Sequence, residues 1–265
     1  MRILADMHTH SKYSIDATDS IESMCLGAIS KGFKVLCITD HVDYNPNDIG
    51  FKYFKVEEFI LETDKCKKQF TKDLILLRGI EFSEPHLYVK ELENLSIYDF
   101  DVILGSIHML GDVFVGHREL LEAYQHEEIE KQYYSMVEKT VNYGHFDVMA
   151  HLDFPKRYYK TSTNSELYIN TILKLLIKKD IALEINTSTY RKGINRNESM
   201  PSQSIIEKYI DLGGKKLTVG SDSHSSTDIG ADFSKVELFL SNKYIDYVGT
   251  YISRKFIPLS DFGIM

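Results

Sequence analysis

Six of the ten histidines of this 265-residue chain stand where short apolar runs give way to polar residues. The first run ends in Asp6-Met7-His8-Thr9-His10, the second in Thr39-Asp40-His41, the third in Gly79-Ile80-Glu81 and the fourth in Gly105-Ser106-Ile107-His108. The fifth ends in Ala150-His151, the sixth in Glu184-Ile185-Asn186 and the seventh in Gly220-Ser221-Asp222-Ser223-His224. On an extended strand residues i and i+2 share a face, so His8 with His10, and Asp222 with His224, can aim at one centre. Imidazole with carboxylate suits zinc, iron or manganese. A lone strand-end histidine is more often a satisfied structural residue, but six of them with carboxylates on successive strands ask for a shared ligand. One ion takes about four to six donors, water included, and the set offers about nine protein donors, so two or three clustered ions are expected. Such clusters clamp phosphoryl oxygens and lower the pKa of a bridging water, so the expected chemistry is attack of a metal-bridged hydroxide on a phosphate ester.

Those residues need strand ends to hold them. Apolar, β-rich runs fall at 2–7, 34–39, 74–80, 101–107, 146–150, 181–185 and 216–220, each short enough to be a strand buried on both faces. Between them, amphipathic stretches at 20–31, 56–70, 118–143, 165–179, 201–212 and 229–240 read as helices. Asp19 followed by Glu22 reads as a capping box, and Gly32 and Gly144 as helix stops. Strand and helix alternating in this way imply a parallel sheet, and a barrel places functional residues at the C-terminal strand ends. No repeat, low-complexity tract or Pro/Gly/Ser-rich linker divides the chain, so one domain over 1–265 is expected.

Composition narrows the partners. The chain is 43% hydrophobic and 26% charged, the balance of a globular protein, and no segment reaches the ~20 apolar residues of a membrane span. Its 31 basic and 39 acidic residues give a net charge of −8, which argues against a general nucleic-acid binder but leaves room for a local phosphate pocket. The N-terminus reaches charge within two residues and lacks a signal peptide's apolar stretch, so a cytoplasmic location is expected. Cys25, Cys37 and Cys66, an odd set without CxxC spacing, read as buried free thiols.

In order and over essentially the whole chain, the DxHxH of residues 6–10, the TDH of 39–41, Glu81, His108, His151 and the SDSH of 221–224 resemble the polymerase-and-histidinol-phosphatase (PHP) superfamily. The resemblance implies a distorted (β/α)7 TIM-like barrel with its metal site at the C-terminal ends of the strands. It further implies one ion held by His8, His10, Glu81 and Asp222, a second by Glu81, His108 and His151, and a third by His41 and His224. Many members carry histidine eight residues after the first motif histidine, where this chain has Asp16. A carboxylate remains a competent ligand and favours a harder metal, although Asp16 can alternatively cap the following turn. The cofactor expected is two to three divalent ions of zinc, manganese or iron.

Within the superfamily, the chain length and the arginine-bearing segments 150–158 and 184–193 resemble the histidinol-phosphate phosphatases of histidine biosynthesis. The resemblance implies a phosphoric monoester hydrolase acting on a small molecule, L-histidinol phosphate, with neither nucleic acid nor membrane as partner; the oligomeric state is not legible. Arg157 and Arg191 follow strands that end in candidate site residues, and the guanidinium fork matches phosphate oxygens, unless either arginine pairs with a carboxylate instead. Ser223, between two ligands, is a candidate phosphate donor, and Arg196 is a third cationic candidate. Asp40 and Asp153 are candidates for the acid that protonates the leaving group, beside a metal-bound water. His117 and Arg118 line the entrance or cap a helix, and His86, His126 and His145 read as structural. The competing readings are a PHP phosphoesterase for a nucleotide, sugar phosphate or nucleic-acid end, and a non-catalytic metal-binding regulatory domain.

Overall fold

The computed structural model describes residues 2–160, 165–240 and 244–262, so the ends of the 1–265 span lie outside it. Seven parallel strands lie side by side in chain order: β1 (Ala5–Thr9), β2 (Val35–Val42), β3 (Ile75–Ser83), β4 (Val102–Ser106), β5 (Val148–Met149), β6 (Ala182–Asn186) and β7 (Leu217–Gly220). The seam between β7 and β1 is stitched past the end of the ladder. His10 N–H donates to Ser223 O at 2.7 Å and Asp222 N–H to His8 O at 2.9 Å. The sheet is thereby a nearly closed barrel, in agreement with the distorted (β/α)7 expectation. Gly220 makes the seam possible, because a Cβ there would lie 2.4 Å from the Cβ of His8 and 2.4 Å from Glu184 Oε1.

The strands are apolar because both faces are covered, one by the barrel interior and one by helices. Val35, Leu36, Cys37 and Ile38 of β2 are fully buried. Helices α1 (Ile21–Ser30), α2 (Val56–Gln69), α3 (Val89–Leu95), α4 (Arg118–Ala123), α5 (His126–Tyr143), α6 (Ser165–Lys179), α7 (Gln203–Asp211) and α8 (Phe233–Leu240) pack around them. In α1 the buried residues Ile21, Met24, Cys25 and Ala28 recur at helical spacing, and in α5 Ile129, Tyr133, Val137 and Val141 do the same. The three cysteines are buried and free.

Several boundaries differ from the sequence reading. β1, β2 and β3 run past their apolar stretches and carry His8, His41 and Glu81 within the ladder or its last residues. The cap of α1 is Ser20, whose Oγ accepts from Ser23 N at 3.1 Å, a contact worth about 1 kcal/mol against alanine. Asp19 instead accepts from Ser226 N at 2.7 Å. The stretch 118–143 is two helices, broken at Tyr124, whose backbone is extended, and restarted where Glu128 accepts from Gln125 N. Two hairpins were not foreseen: Met109–Leu110 with Val113–Phe114, and Gly249–Ile252 with Lys255–Pro258. The second lies at the N-terminal end of the barrel, where Ser253 N donates to Asp101 Oδ1 at 3.1 Å and the Tyr251 hydroxyl to Asp147 O at 3.1 Å.

Candidate metal centre

At the opposite, C-terminal end of the barrel, imidazoles and carboxylates converge on Glu81. Its Oε2 lies 3.2 Å from His8 Nε2, 3.6 Å from His10 Nε2 and 2.9 Å from His41 Nδ1. Its Oε1 lies 2.7 Å from His151 Nε2 and 3.3 Å from His108 Nε2. His8 Nε2 and His10 Nε2 face each other at 3.0 Å, and His108 Nε2 and His151 Nε2 at 3.4 Å. Asp222 Oδ1 stands 3.6 Å from both His10 Nε2 and His224 Nδ1. Asp16 bridges the outer pair, 2.9 Å from His224 Nε2 and 3.7 Å from His41 Nε2. The structure thus brings together all nine residues that the sequence offered as ligands. Two of them, His151 (φ 25°) and Asp222 (φ 52°), hold left-handed backbone, a strain that a packed site sustains.

The donor set fits divalent ions. Ligands bound tetrahedrally at about 2.0–2.1 Å stand about 3.3–3.4 Å from one another, close to the spacings around Glu81. Paired imidazole nitrogens at 3.0 Å hold at most one proton between them, so lone pairs converge there. Among the described residues, the buried atoms His41 Nδ1 and His224 Nε2 have no hydrogen-bond partner, though each is 2.9 Å from a carboxylate oxygen. Three groups gather ligand atoms within 4.8 Å of one another: His8, His10 and Glu81; His10, His41 and His224; and His41, Glu81 and His108.

Electrostatics prepares the same chemistry. Burial together with the neighbouring His224, His41 and His8 holds His10 well below its ordinary value, and burial lowers His151, so both are neutral imidazoles. Burial opposes ionisation of Glu81, but His8, His108 and His41 outweigh it and hold the carboxyl well below the usual range. For Asp222, Arg157 and His8 likewise overcome burial. For Asp16, His224 and His41 overcome it and draw the carboxyl down to about 2. Against burial, Glu184 and Glu81 hold His8 well above its ordinary value, and Glu81 raises His41 to about 10 and raises His108, so these three rings bind protons that a cation has to displace.

The far side of each ring is also held. Glu184 Oε1 lies 2.6 Å from His8 Nδ1, while its Oε2 accepts from His151 N at 2.7 Å. Ser14 Oγ lies 3.0 Å from His10 Nδ1, Ser83 Oγ 3.0 Å from His108 Nδ1, and His224 Nδ1 3.1 Å from Asp222 O. Ser14, Ser83 and Glu184 were not assigned from the sequence; only the position of Glu184 at the end of β6 could have drawn attention to it. Asp6, which opens the first motif, accepts from Ser221 N at 2.9 Å and Gly230 N at 2.8 Å and so anchors the loop that carries Asp222.

Above the donors opens a cavity of about 340 Å³, lined by Glu81, His41, His108, His151, Asp222 and His224, by Arg157, Lys192, Asp43 and Asp48, and by an apolar side that includes Ile15, Ile49, Met109, Phe114, Phe154 and Tyr158. Arg157 Nη2 donates to Asp222 Oδ2 at 2.8 Å and to Ser188 Oγ, and its guanidinium lies 4.8 Å from the Phe154 ring centre. Its buried Nε has no partner among the described residues. Lys192, exposed on the rim, was not singled out from the sequence. His117 lines the entrance and also caps α4 through Glu119 N.

Four other residues singled out from the sequence, Arg191, Ser223, Asp40 and Asp153, are not among those lining the cavity. Arg191 reaches sideways, donating to Asp232 Oδ2 at 3.0 Å and Ser221 O at 2.5 Å, and so ties two loops together. Ser223 donates its hydroxyl to Ser225 O at 2.5 Å. Asp40 accepts from Ser11 N and Ser11 Oγ, both at 2.6 Å, and from Ser14 Oγ at 2.7 Å, which turns it away from any substrate. Asp153 pairs with the buried Lys156 at 2.8 Å beneath the 3₁₀ turn Phe154–Arg157 and so supports the segment that carries Arg157. Arg196 bonds Gly193 O on the surface.

Comparison with known proteins gives this geometry a context. A probable histidinol-phosphatase of Clostridium acetobutylicum is 30% identical over 242 residues, 86% of this chain and 89% of the relative. One from Thermotoga maritima is 31% identical over 247 residues, 92% of this chain and 94% of the relative. The fold is similar to that of histidinol phosphate phosphatase from Lactococcus lactis, solved with zinc, L-histidinol and phosphate, at a TM-score of 0.85, 23% identity and coverage of 96% and 98%. Barrel, donor set and relatives together define the class, a phosphoric monoester hydrolase. Residues 6–188 match the family model described as PHP domain, and the chain belongs to that family.

Proposed function

We propose that this chain hydrolyses L-histidinol phosphate to L-histidinol and inorganic phosphate, as a single domain acting in the cytoplasm in histidine biosynthesis. The observation that carries the reading is Arg157, whose buried Nε, without a partner among the described residues, stands on a cavity wall beside the converging donors. A phosphate seated on that cluster meets a guanidinium already fixed by Asp222 and Ser188, so its binding costs little reorganisation. The names of relatives that match along most of their length support the substrate.

In this reading His8, His10, Glu81 and Asp222 hold one ion, Glu81, His108 and His151 a second, and His41, His224 and Asp16 a third, each zinc, manganese or iron. Bound divalent ions supply Lewis-acid stabilisation of phosphoryl oxygens and acidify water in the site. The protein's own work is to aim the donors and to keep the carboxylates Asp16, Glu81 and Asp222 ionised. Asp222 divides its two oxygens, Oδ1 toward His10 and Oδ2 toward Arg157, and so sets the guanidinium at a fixed distance from the cluster. Arg157 then neutralises charge that develops on the phosphoryl oxygens. Ile15, Ile49, Met109 and Phe114 offer an apolar seat for an imidazole-bearing leaving group, and Asp43 and Asp48 supply negative charge for its ammonium.

The test is phosphate release from L-histidinol phosphate by protein reconstituted with manganese, iron or zinc, beside a nucleoside monophosphate and an aryl phosphate. Selective turnover of the first is expected. Turnover of only the other two discards the substrate and keeps the phosphatase.

A further inference from the structure

We infer that Ser14 and Ser83 are positioning residues, each passing the charge of a buried carboxylate on or just beyond β2 to a metal-facing imidazole and fixing which ring nitrogen carries the proton. The inference rests on the reading of His10 and His108 as ion ligands.

The argument is a count of protons. Ser14 Oγ lies 2.7 Å from Asp40 Oδ1, 3.0 Å from His10 Nδ1 and 2.9 Å from the backbone nitrogen of His41. A hydroxyl has one proton and two lone pairs. The carboxylate accepts that proton, and the His41 N–H, which can only donate, takes one lone pair. The remaining lone pair faces His10 Nδ1, so Nδ1 carries the proton and Nε2 keeps its lone pair toward His8 and Glu81. Asp40 is held as an acceptor by two further donors, the backbone nitrogen and hydroxyl of Ser11, both at 2.6 Å.

The second relay repeats the first on the other side of β2. Ser83 Oγ lies 2.6 Å from Asp43 Oδ1 and 3.0 Å from His108 Nδ1. With the hydroxyl proton given to Asp43, His108 Nδ1 must donate, which leaves Nε2, facing Glu81 and His151, as the nitrogen that can take an ion. Ser14, Ser83 and Asp40 are at most 1% exposed and Asp43 is 5% exposed, so little water competes. His8 needs no serine, because Glu184 reaches its Nδ1 directly at 2.6 Å. Partners of this kind set ring orientation and ligand basicity in metal sites, and their loss costs about 10–100-fold in metal affinity.

The experiment uses the metal-free full-length chain, with Mn²⁺ or Zn²⁺ alone as the probe. Long-range ¹H–¹⁵N spectra of the Zn²⁺-loaded wild type are expected to place the His10 and His108 protons on Nδ1. In chelator competition, S14A and S83A are expected to lose about 10–100-fold in ion affinity, with S14T and S83T recovering most of it. Unchanged affinity in folded alanine variants overturns the inference. So do Nε2-protonated His10 or His108 rings in the Zn²⁺-loaded wild type, a result that needs no variant to fold. Since neither readout involves substrate, failure to hydrolyse L-histidinol phosphate sinks the functional reading and leaves this one standing.

Discussion

Replacing Arg157 with methionine separates the phosphate role from the structural one. Methionine keeps much of the side-chain length over the Phe154 ring and removes the guanidinium. In the resting protein the loss is the 2.8 Å bond to Asp222 Oδ2 and the bond to Ser188. Breaking a buried ion pair can cost ~3–5 kcal/mol, because a charge is left uncompensated. Here Asp222 keeps the Ser188 hydroxyl at 2.9 Å and two imidazoles at 3.6 Å, so the expected destabilisation is only about 1–3 kcal/mol. Catalysis loses more. A charge-assisted bond from Nε to a phosphoryl oxygen, together with the lost unit charge, is worth about 3 kcal/mol, a fall in kcat/KM of roughly 100- to 200-fold. R157K restores charge without the fork and is expected to recover only part of it. The assay is phosphate release at saturating metal, with thermal unfolding in parallel. A folded R157M enzyme within about threefold of wild-type kcat/KM refutes the reasoning.

Other perturbations give distinct outcomes. H8A is expected to abolish turnover and strip bound ion while far-ultraviolet circular dichroism stays native; substantial activity in the folded variant contradicts the ligand assignment. Dialysis against a chelator is expected to silence phosphate release and lower Tm, and both should return on adding Mn²⁺ or Zn²⁺, because an ion bound only by the native state stabilises it. R191M is expected to lose about 1–3 kcal/mol of stability, through its bonds to Asp232 and Ser221, with a smaller fall in kcat/KM than R157M. A larger fall in kcat/KM than in R157M would return Arg191 to the phosphate. Burial, with Lys139 nearby, lowers His86 from 6.5 to about 4, so the unfolded chain protonates first on acidification. Its contribution to stability is complete above pH 6.5 and is lost toward pH 4, so the wild-type curve should fall relative to H86Q across that window; parallel curves refute the shift.

The ligand set was legible because it is written at the ends of strands, where side-chain direction follows from alternation. His8 and His10, or Asp222 and His224, share a face by spacing alone. The same alternation explains the error over Asp40: as the neighbour of His41 on β2 it points to the other face, where Ser11 and Ser14 take its oxygens. Arg191 was misplaced because its partner, Asp232, lies in a loop that nothing local connects to it. The 118–143 stretch kept its periodicity across a break that only the extended backbone at Tyr124 reveals. The two hairpins escaped for a related reason, since strands of two to four residues are too short to show a period.

The seam between β1 and β7 joins the first and last strands of the barrel, and the residues that stitch it, His8, His10, Asp222 and Ser223, belong to the proposed ion site or neighbour it. On the proposed ligand set, an ion shared by His8, His10 and Asp222 would act as a clasp on the barrel as well as a reactive centre. The contact is among the longest-range in the molecule, so its loop-closure entropy is repaid late in folding. A nascent chain still lacking its seventh strand has neither the clasp nor the complete site. With that ligand set, ion loading and barrel closure are expected to be coupled, and in metal-starved protein the opening of this seam is the expected first step of unfolding.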